Sequence, residues 1–361
     1  MNRSMHRQSE SRGRTVGAGV DRWLFVALLM VTPGAIAYQE APMLAEAVAR
    51  GELPPVAKRL PEDPAVVEPV DAIGTYGGSW RRLSMGAADL SLLTRLGYEP
   101  LVRWDRQGKV PVPGLAASWD IEEAGRQYVF HLRRGLKWSD GAPLTSEDFV
   151  FHYEDVLCNK ELSPVFQSWL VLGGTPVEVT APDPYTVVFE FVEPYGIFLE
   201  MLCFRGNTLL SPKHYLRQFH ARYVAVEELN RLAAERGVAK WFQLFQLKAN
   251  VQENPDLPTW NPFRIVVPPP ATRMVAERNP YYWKVDPAGN QLPYIDRIVY
   301  TDIQNGEMTT IKAMAGEVDF QARRINPADY PLFMENRQRG GYRVLRDLEM
   351  ASVVCYINQY K

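Results

Sequence analysis

Pro113-Gly114-Leu115-Ala116-Ala117-Ser118-Trp119, Tyr128-Val129-Phe130-His131-Leu132-Arg133, Leu136-Lys137-Trp138-Ser139-Asp140-Gly141 and Leu144-Thr145-Ser146-Glu147-Asp148-Phe149 are the four stretches whose reading decides the fold. In the second, Tyr128, Phe130 and Leu132 alternate with Val129, His131 and Arg133, the period of a strand with one buried face. Ser139-Asp140-Gly141 is a turn. Thr145 is placed to cap a helix over Ser146–Leu157, with Asp148 three residues later near the capping-box position.

Working outward, Val177 to Thr180 and Tyr185 to Phe191 form a strand pair around the turn Pro182-Asp183-Pro184. Upstream, residues 38–72 form a Pro- and acid-containing arm that reads as an extended strap. Thr75 to Ser84 carries a Gly-rich turn and a strand, and Ser91 to Val102 reads as a helix with Leu92, Leu93, Leu96 and Leu101 on one face. Downstream, helices fall near 212–222 (Ser211 as N-cap, Pro212 at the first helical position), 226–236 and 239–248. Thr272 to Arg278 and Ile295 to Ile303 read as strands, and Glu307 to Ala315 as a helix closed by Gly316. Asn326-Pro327 opens another helix, and Tyr342 to Leu348 reads as a last strand. Strands alternating with helices imply an α/β sheet, and the β-rich block sits in it as an insertion.

The bulk numbers fit an ordinary globular protein: 46% apolar, 23% charged, net charge −2. Without a basic excess there is nothing to neutralise phosphates, so nucleic acid is not an expected partner. At the N-terminus, Arg3, Arg7, Arg12, Arg14 and Arg22 precede an apolar run that begins at Trp23 and ends in Ala35-Ile36-Ala37. A basic start, a short apolar run and a small-x-small end describe a secretory signal cleaved after about Ala37. The run is about 15 residues, short of the roughly 20 a spanning helix needs, although an uncleaved anchor is the alternative. Of the cysteines Cys158, Cys203 and Cys355, a Cys158–Cys203 bridge and unpaired thiols are both open.

Catalytic signatures are absent. Gly74 to Gly78 lacks the dinucleotide fingerprint and the P-loop lysine, no G-x-S-x-G occurs, and no H-E-x-x-H or C-x-x-C holds a metal. His152-Tyr153-Glu154 is not followed by P-C-x-x-C, and its His and Glu point apart on a helix. Asp140 with Glu147 or Asp148 can be cast as a hydrolase pair, but a turn and a cap already explain Asp140 and Asp148. No enzyme activity, cofactor or metal is expected.

Taken in order, the four opening stretches closely resemble the bacterial extracellular solute-binding proteins, family 5, the peptide- and nickel-binding receptors of ABC importers. The resemblance continues through Glu277-Arg278-Asn279-Pro280-Tyr281-Tyr282-Trp283, Ile295-Asp296-Arg297-Ile298 and Gly316-Glu317-Val318-Asp319, covering roughly residues 73–361. It implies an α/β, periplasmic-binding-protein-like fold (class II, cluster C type): a first lobe from residues 73–102 and 194–351, and an inserted β-rich subdomain at 103–193. Gln218 to Leu257 and Lys284 to Pro293 look like additions of a longer subtype. Val353 to Gln359 resembles the crossover into the second lobe, so with the sequence ending at Lys361 that lobe is expected to be missing, with 352–361 as its start.

The resemblance also implies where solute touches the first lobe: Ser84, Met85, Gly86 and Ala87 after its first strand, Gln321, Arg323 and Arg324 after the G-E-x-D element, and Phe166 and Trp169 from the subdomain. Arg323 or Arg324 suits an anionic group, unless the two are a solvated pair. The implied function is capture of a peptide or other small solute in the periplasm by a monomer that hands it to an inner-membrane ABC permease. The alternatives are a non-binding truncated receptor and a secreted hydrolase.

Overall fold

The computed structural model describes residues 38–92 and 96–346. The signal segment, Leu93, the crossover at 352–361 and Cys355 lie outside those residues.

One sheet has four strands in the order Phe263–Val267, Arg273–Arg278, Arg297–Asp302, Ser79–Ser84. The first three run antiparallel, and Ser79–Ser84 joins parallel to Arg297–Asp302 in the register Arg297 opposite Ser79 to Asp302 opposite Ser84. Met274, Ala276, Ile298 and Tyr300 alternate inward and pack with Leu90, Leu92, Phe263 and Ile265.

The second sheet is fully antiparallel, ordered Ala116–Glu122, Gln127–Leu132, Thr186–Glu190, Glu178–Asp183. Tyr128, Phe130 and Leu132 are its buried set, as the alternation requires. Phe198, on the helix Phe198–Arg205, sits at the middle of the aromatic core, 4.8 Å from the Phe191 ring, 4.9 Å from Tyr128 and 5.3 Å from Phe189. The expected β-rich block and mixed α/β architecture are both present.

A third core is helical. Val226–Glu235 and Trp241–Lys248 pack with Leu229, Trp241 and Phe245 against Phe151, Leu216 and Leu257. Its seat is the helix at Ser146, which runs as an α-helix only to Phe151 and continues as a π-helical turn over His152–Leu157. That turn carries Asp155, which accepts from Arg222 Nη1 (2.7 Å) and Tyr223 Oη (2.6 Å).

Several expectations change. In place of a helix from Ser91, a 3₁₀ turn at Ala87–Asp89 leads into irregular backbone, and Ser91 has φ 54. Leu92 and Leu101 are buried because the loop itself is packed, so apolar spacing alone mimicked a helix. The arm is not simply extended: it holds the helices Pro42–Ala49 and Val56–Arg59. Arg59, fully buried, binds the carbonyls of Pro54 and Pro280, Gln291 Oε1 and Glu40. Ser211 does not cap the next helix, which starts at Lys213; its hydroxyl lies 2.9 Å from His152 Nδ1. Tyr342–Arg346 forms no strand, and Tyr342 Oη donates to the Phe333 carbonyl (2.7 Å) of the helix Tyr330–Gly340. Cys158 and Cys203 are both free, the first exposed and the second buried.

Candidate functional site

The strand Ser79–Ser84 is an edge of its sheet, so its outward N–H and C=O groups need partners. The segment after Gly316 supplies them. Asp319 accepts from the Arg81 amide (2.7 Å) and returns its own N–H to the Arg81 carbonyl (3.1 Å). Two residues on, the Gln321 side chain takes the Leu83 N–H on Oε1 (3.1 Å) and gives Nε2 to the Leu83 carbonyl (3.3 Å). Residues 319 and 321 therefore dock on the edge at the period of a strand, and Gln321 also fixes the backbone of Arg323 (Nε2 to O, 2.9 Å).

Past Ser84 the chain turns. Gly86, at φ 86, adopts a backbone conformation that side-chain-bearing residues avoid, and its N–H reaches Asp302 Oδ1 at 3.1 Å. The turn brings in Asp89, whose side chain is 1% exposed. It accepts from the Met85 amide (2.9 Å), Arg323 Nε (2.8 Å) and Arg324 Nε and Nη2 (3.0 and 3.2 Å). Burial works to raise the Asp89 carboxyl, but Arg324, the Met85 amide and the Arg323 charge outweigh it and hold it below the ordinary range.

Ser84–Ala87 and Gln321–Arg324, more than 230 residues apart, thus meet around one carboxylate. The two arginines are one-third to two-fifths exposed and together carry one more positive charge than Asp89 neutralises. Each already spends its Nε on Asp89, and the rest of each guanidinium is partly exposed.

Phe166 and Trp169 lie elsewhere. Trp169 is buried, stacks on Phe198 at 6.2 Å and donates Nε1 to Gln167 (2.7 Å); Phe166 meets the Tyr153 ring edge-on. Both belong to the core of the antiparallel sheet, and none of their contacts among the described residues reaches the Asp89 junction. The residues that sequence reading missed are Asp89 and Asp302. An arginine pair calls for a carboxylate, but nothing local to Arg323 says which one.

Of the acidic candidates for hydrolysis, Asp140 and Glu147 are held in charge contacts, and Asp148 is buried at the helix start, accepting from the Thr145 amide at 3.0 Å. Asp140 accepts from the Ala142 amide (3.1 Å) and lies 2.8 Å from His214 Nε2; despite burial, these contacts keep its carboxyl below the ordinary range. Glu147 pairs with Lys213 (2.8 Å) at an open concavity of about 330 Å³ lined also by Glu154, Val179 and Thr180. Among the described residues no group of three metal-ligating side chains occurs, and no helix is long and apolar enough to cross a membrane.

Comparison with known proteins gives a consistent picture. The family described as bacterial extracellular solute-binding proteins, family 5, matches residues 110–360. The periplasmic alpha-galactoside-binding protein of Rhizobium meliloti (strain 1021) is 31% identical over 297 residues, 75% of this chain and 40% of that protein. The periplasmic oligopeptide-binding protein OppA of Escherichia coli (strain K12) is 28% identical over 243 residues, 63% of this chain and 38% of that one. Among solved structures, an oligopeptide-binding protein OppA superposes with TM-score 0.81 at 44% identity, covering 85% of this chain and 49% of its own. The periplasmic binding protein MelB from Agrobacterium fabrum C58, solved with stachyose, gives TM-score 0.68 at 25% identity over 83% of this chain and 46% of its own. The chain spans half or less of the length of these relatives.

Proposed function

Because the chain belongs to the bacterial extracellular solute-binding proteins, family 5, we propose that it serves the solute-capturing arm of an ABC importer, taking up a peptide or peptide-like solute in the periplasm and presenting it to an inner-membrane permease. The fold is the mixed α/β fold of the periplasmic binding proteins. In this reading residues 73–102 and 194–351 form the first lobe, 103–193 its inserted subdomain, 38–72 an arm that straps them, and the segment up to about Ala37 directs export.

The observation that carries the reading is the Asp89 junction. Through Asp89 it joins Met85 to Arg323 and Arg324, beside Gln321 on the strand edge at Leu83, and the partly exposed guanidinium groups offer donors to a carboxylate or carbonyl. Phe166, partly buried, and Trp169 pack in a separate aromatic core, and their part in the reading is a subdomain contact apart from this junction.

A second reading, an oligosaccharide as solute, is favoured by the similarity to the alpha-galactoside-binding protein and to MelB. Isothermal titration with short oligopeptides and with stachyose separates them. Heat from peptides alone supports the first reading, and heat from stachyose alone replaces it with the second. No heat from either counts against solute capture by this chain.

A further inference from the structure

The helical hairpin Val226–Glu235 and Trp241–Lys248 has no part in the solute edge as described, yet one side chain beyond its end reaches the segment that follows Asp89. Gln252 Oε1 accepts the Ser91 N–H at 3.0 Å, across 161 positions of sequence. Ser91 is the residue with φ 54, a left-handed backbone that serine holds only when its surroundings impose it. It is 5% exposed, so its N–H would otherwise be a buried donor without an acceptor. Its hydroxyl also approaches the Asp89 carbonyl at 3.4 Å.

Gln252 is itself held in place. Its N–H donates to Asn250 Oδ1 (3.0 Å), and two residues further Asn254 Nδ2 bonds Tyr215 Oη (2.9 Å) and the Lys248 carbonyl (2.6 Å), fastening the turn to the hairpin. The turn that follows the hairpin thus places an amide oxygen on Ser91, two residues past Asp89 and in left-handed backbone.

We propose that Gln252 is a positioning residue: by holding Ser91 in its left-handed conformation it sets where Asp89 stands, and so where Met85, Arg323 and Arg324 are presented. The proposal rests on the reading of Ser84–Ala87 and Gln321–Arg324 as the solute edge. The Met85 amide makes a clean reporter, because it bonds the Asp89 carboxylate and not Gln252.

The test is amide hydrogen exchange on the 361-residue chain, with no solute present. In Gln252→Ala, the Ser91 and Met85 amides should exchange about tenfold faster, the worth of one buried hydrogen bond, while amides of the strand Arg297–Asp302 keep their rates. Adding Ser91→Gly to that variant should restore Met85 protection, because glycine adopts this backbone without help. Unchanged Met85 exchange in Gln252→Ala overturns the proposal, and so does failure of the glycine to rescue. Acceleration of the strand amides together with Met85 also overturns it, since Gln252 would then merely support the fold. If exchange responds as stated but neither oligopeptide nor stachyose binds, the positioning role stands and the solute reading falls.

Discussion

The indole Nε1 of Trp138 donates to Oδ2 of Asp148 at 3.1 Å, inside the subdomain and away from solvent. The same carboxylate accepts from the Thr145 amide (3.0 Å) at the start of its helix and, through Oδ1, from the Lys213 amide (3.0 Å). One buried acid therefore ties the K-W-S-D-G turn, the L-T-S-E-D-F helix start and the chain returning at Pro212.

Replacing Asp148 with Ala leaves three donors without their acceptor and should destabilise the protein by about 3 kcal/mol in urea unfolding. The pH dependence follows from burial, which pushes this carboxyl up to about 6 against its hydrogen bonds. A raised folded-state value means the native protein holds the proton more tightly than the unfolded chain. The associated stability is full below the ordinary 3.8 and is lost as pH rises through about 6. Asp148→Asn should flatten the limb of the stability profile between those two values; an unchanged limb would rule out Asp148 as its source.

At Asp89 the sign reverses. Its carboxyl is held below the ordinary range, so its contribution is present at neutral pH and lost as pH falls through its folded-state value, below 3.8. Asp89→Asn should release Arg323 and Arg324 at neutral pH, and their modification by an arginine-selective dicarbonyl should rise several-fold. Equal modification of wild type and variant would mean the guanidinium groups are not restrained by Asp89.

Much of the fold was legible because its signals are local. The Tyr128–Leu132 alternation, the Thr145 and Asn326 helix starts and the Gly316 stop each depend on a few neighbouring residues. Two of the three segments expected at the solute edge do meet, though through Asp89, which no local pattern marks. The failures are instructive in the same terms. The leucines after Ser91 gave a helical period, but Ser91 is left-handed and the described residues of that stretch are not helical. Ser211 and Pro212 had the right types for a helix start, yet the half-buried His152 claimed the hydroxyl.

Gly141 is required twice over. Its φ of +90 suits glycine alone, and a Cβ there would lie 2.8 Å from Tyr281 Oη. Gly141→Ala should cost about 2 kcal/mol or more in urea unfolding. Tyr281→Phe in the same chain should recover only part of that loss, since the backbone strain remains. Full recovery would assign the whole cost to the tyrosine contact.

The last prediction concerns a buried charge pair, Lys284 with Glu99. Lys284 Nζ lies 2.5 Å from Glu99 Oε2 with both side chains under a tenth exposed, and Tyr282 Oη donates to the other Glu99 oxygen at 2.5 Å. Burial lowers the Lys284 ammonium below its usual range even though Glu99 opposes the shift, so desolvation outweighs attraction here. Such a pair adds little net stability but is costly to break from one side. Lys284→Met alone should therefore destabilise by about 3 kcal/mol, because it leaves the buried Glu99 carboxylate with only the Tyr282 hydroxyl and, at 4.0 Å, the Arg103 guanidinium. Glu99→Gln added to it keeps an acceptor for Tyr282 while removing the stranded charge, and should return most of that loss. If the double variant is no more stable than Lys284→Met, the ammonium was stabilising through its place over the Trp283 ring, 4.7 Å away, and not through its charge partner.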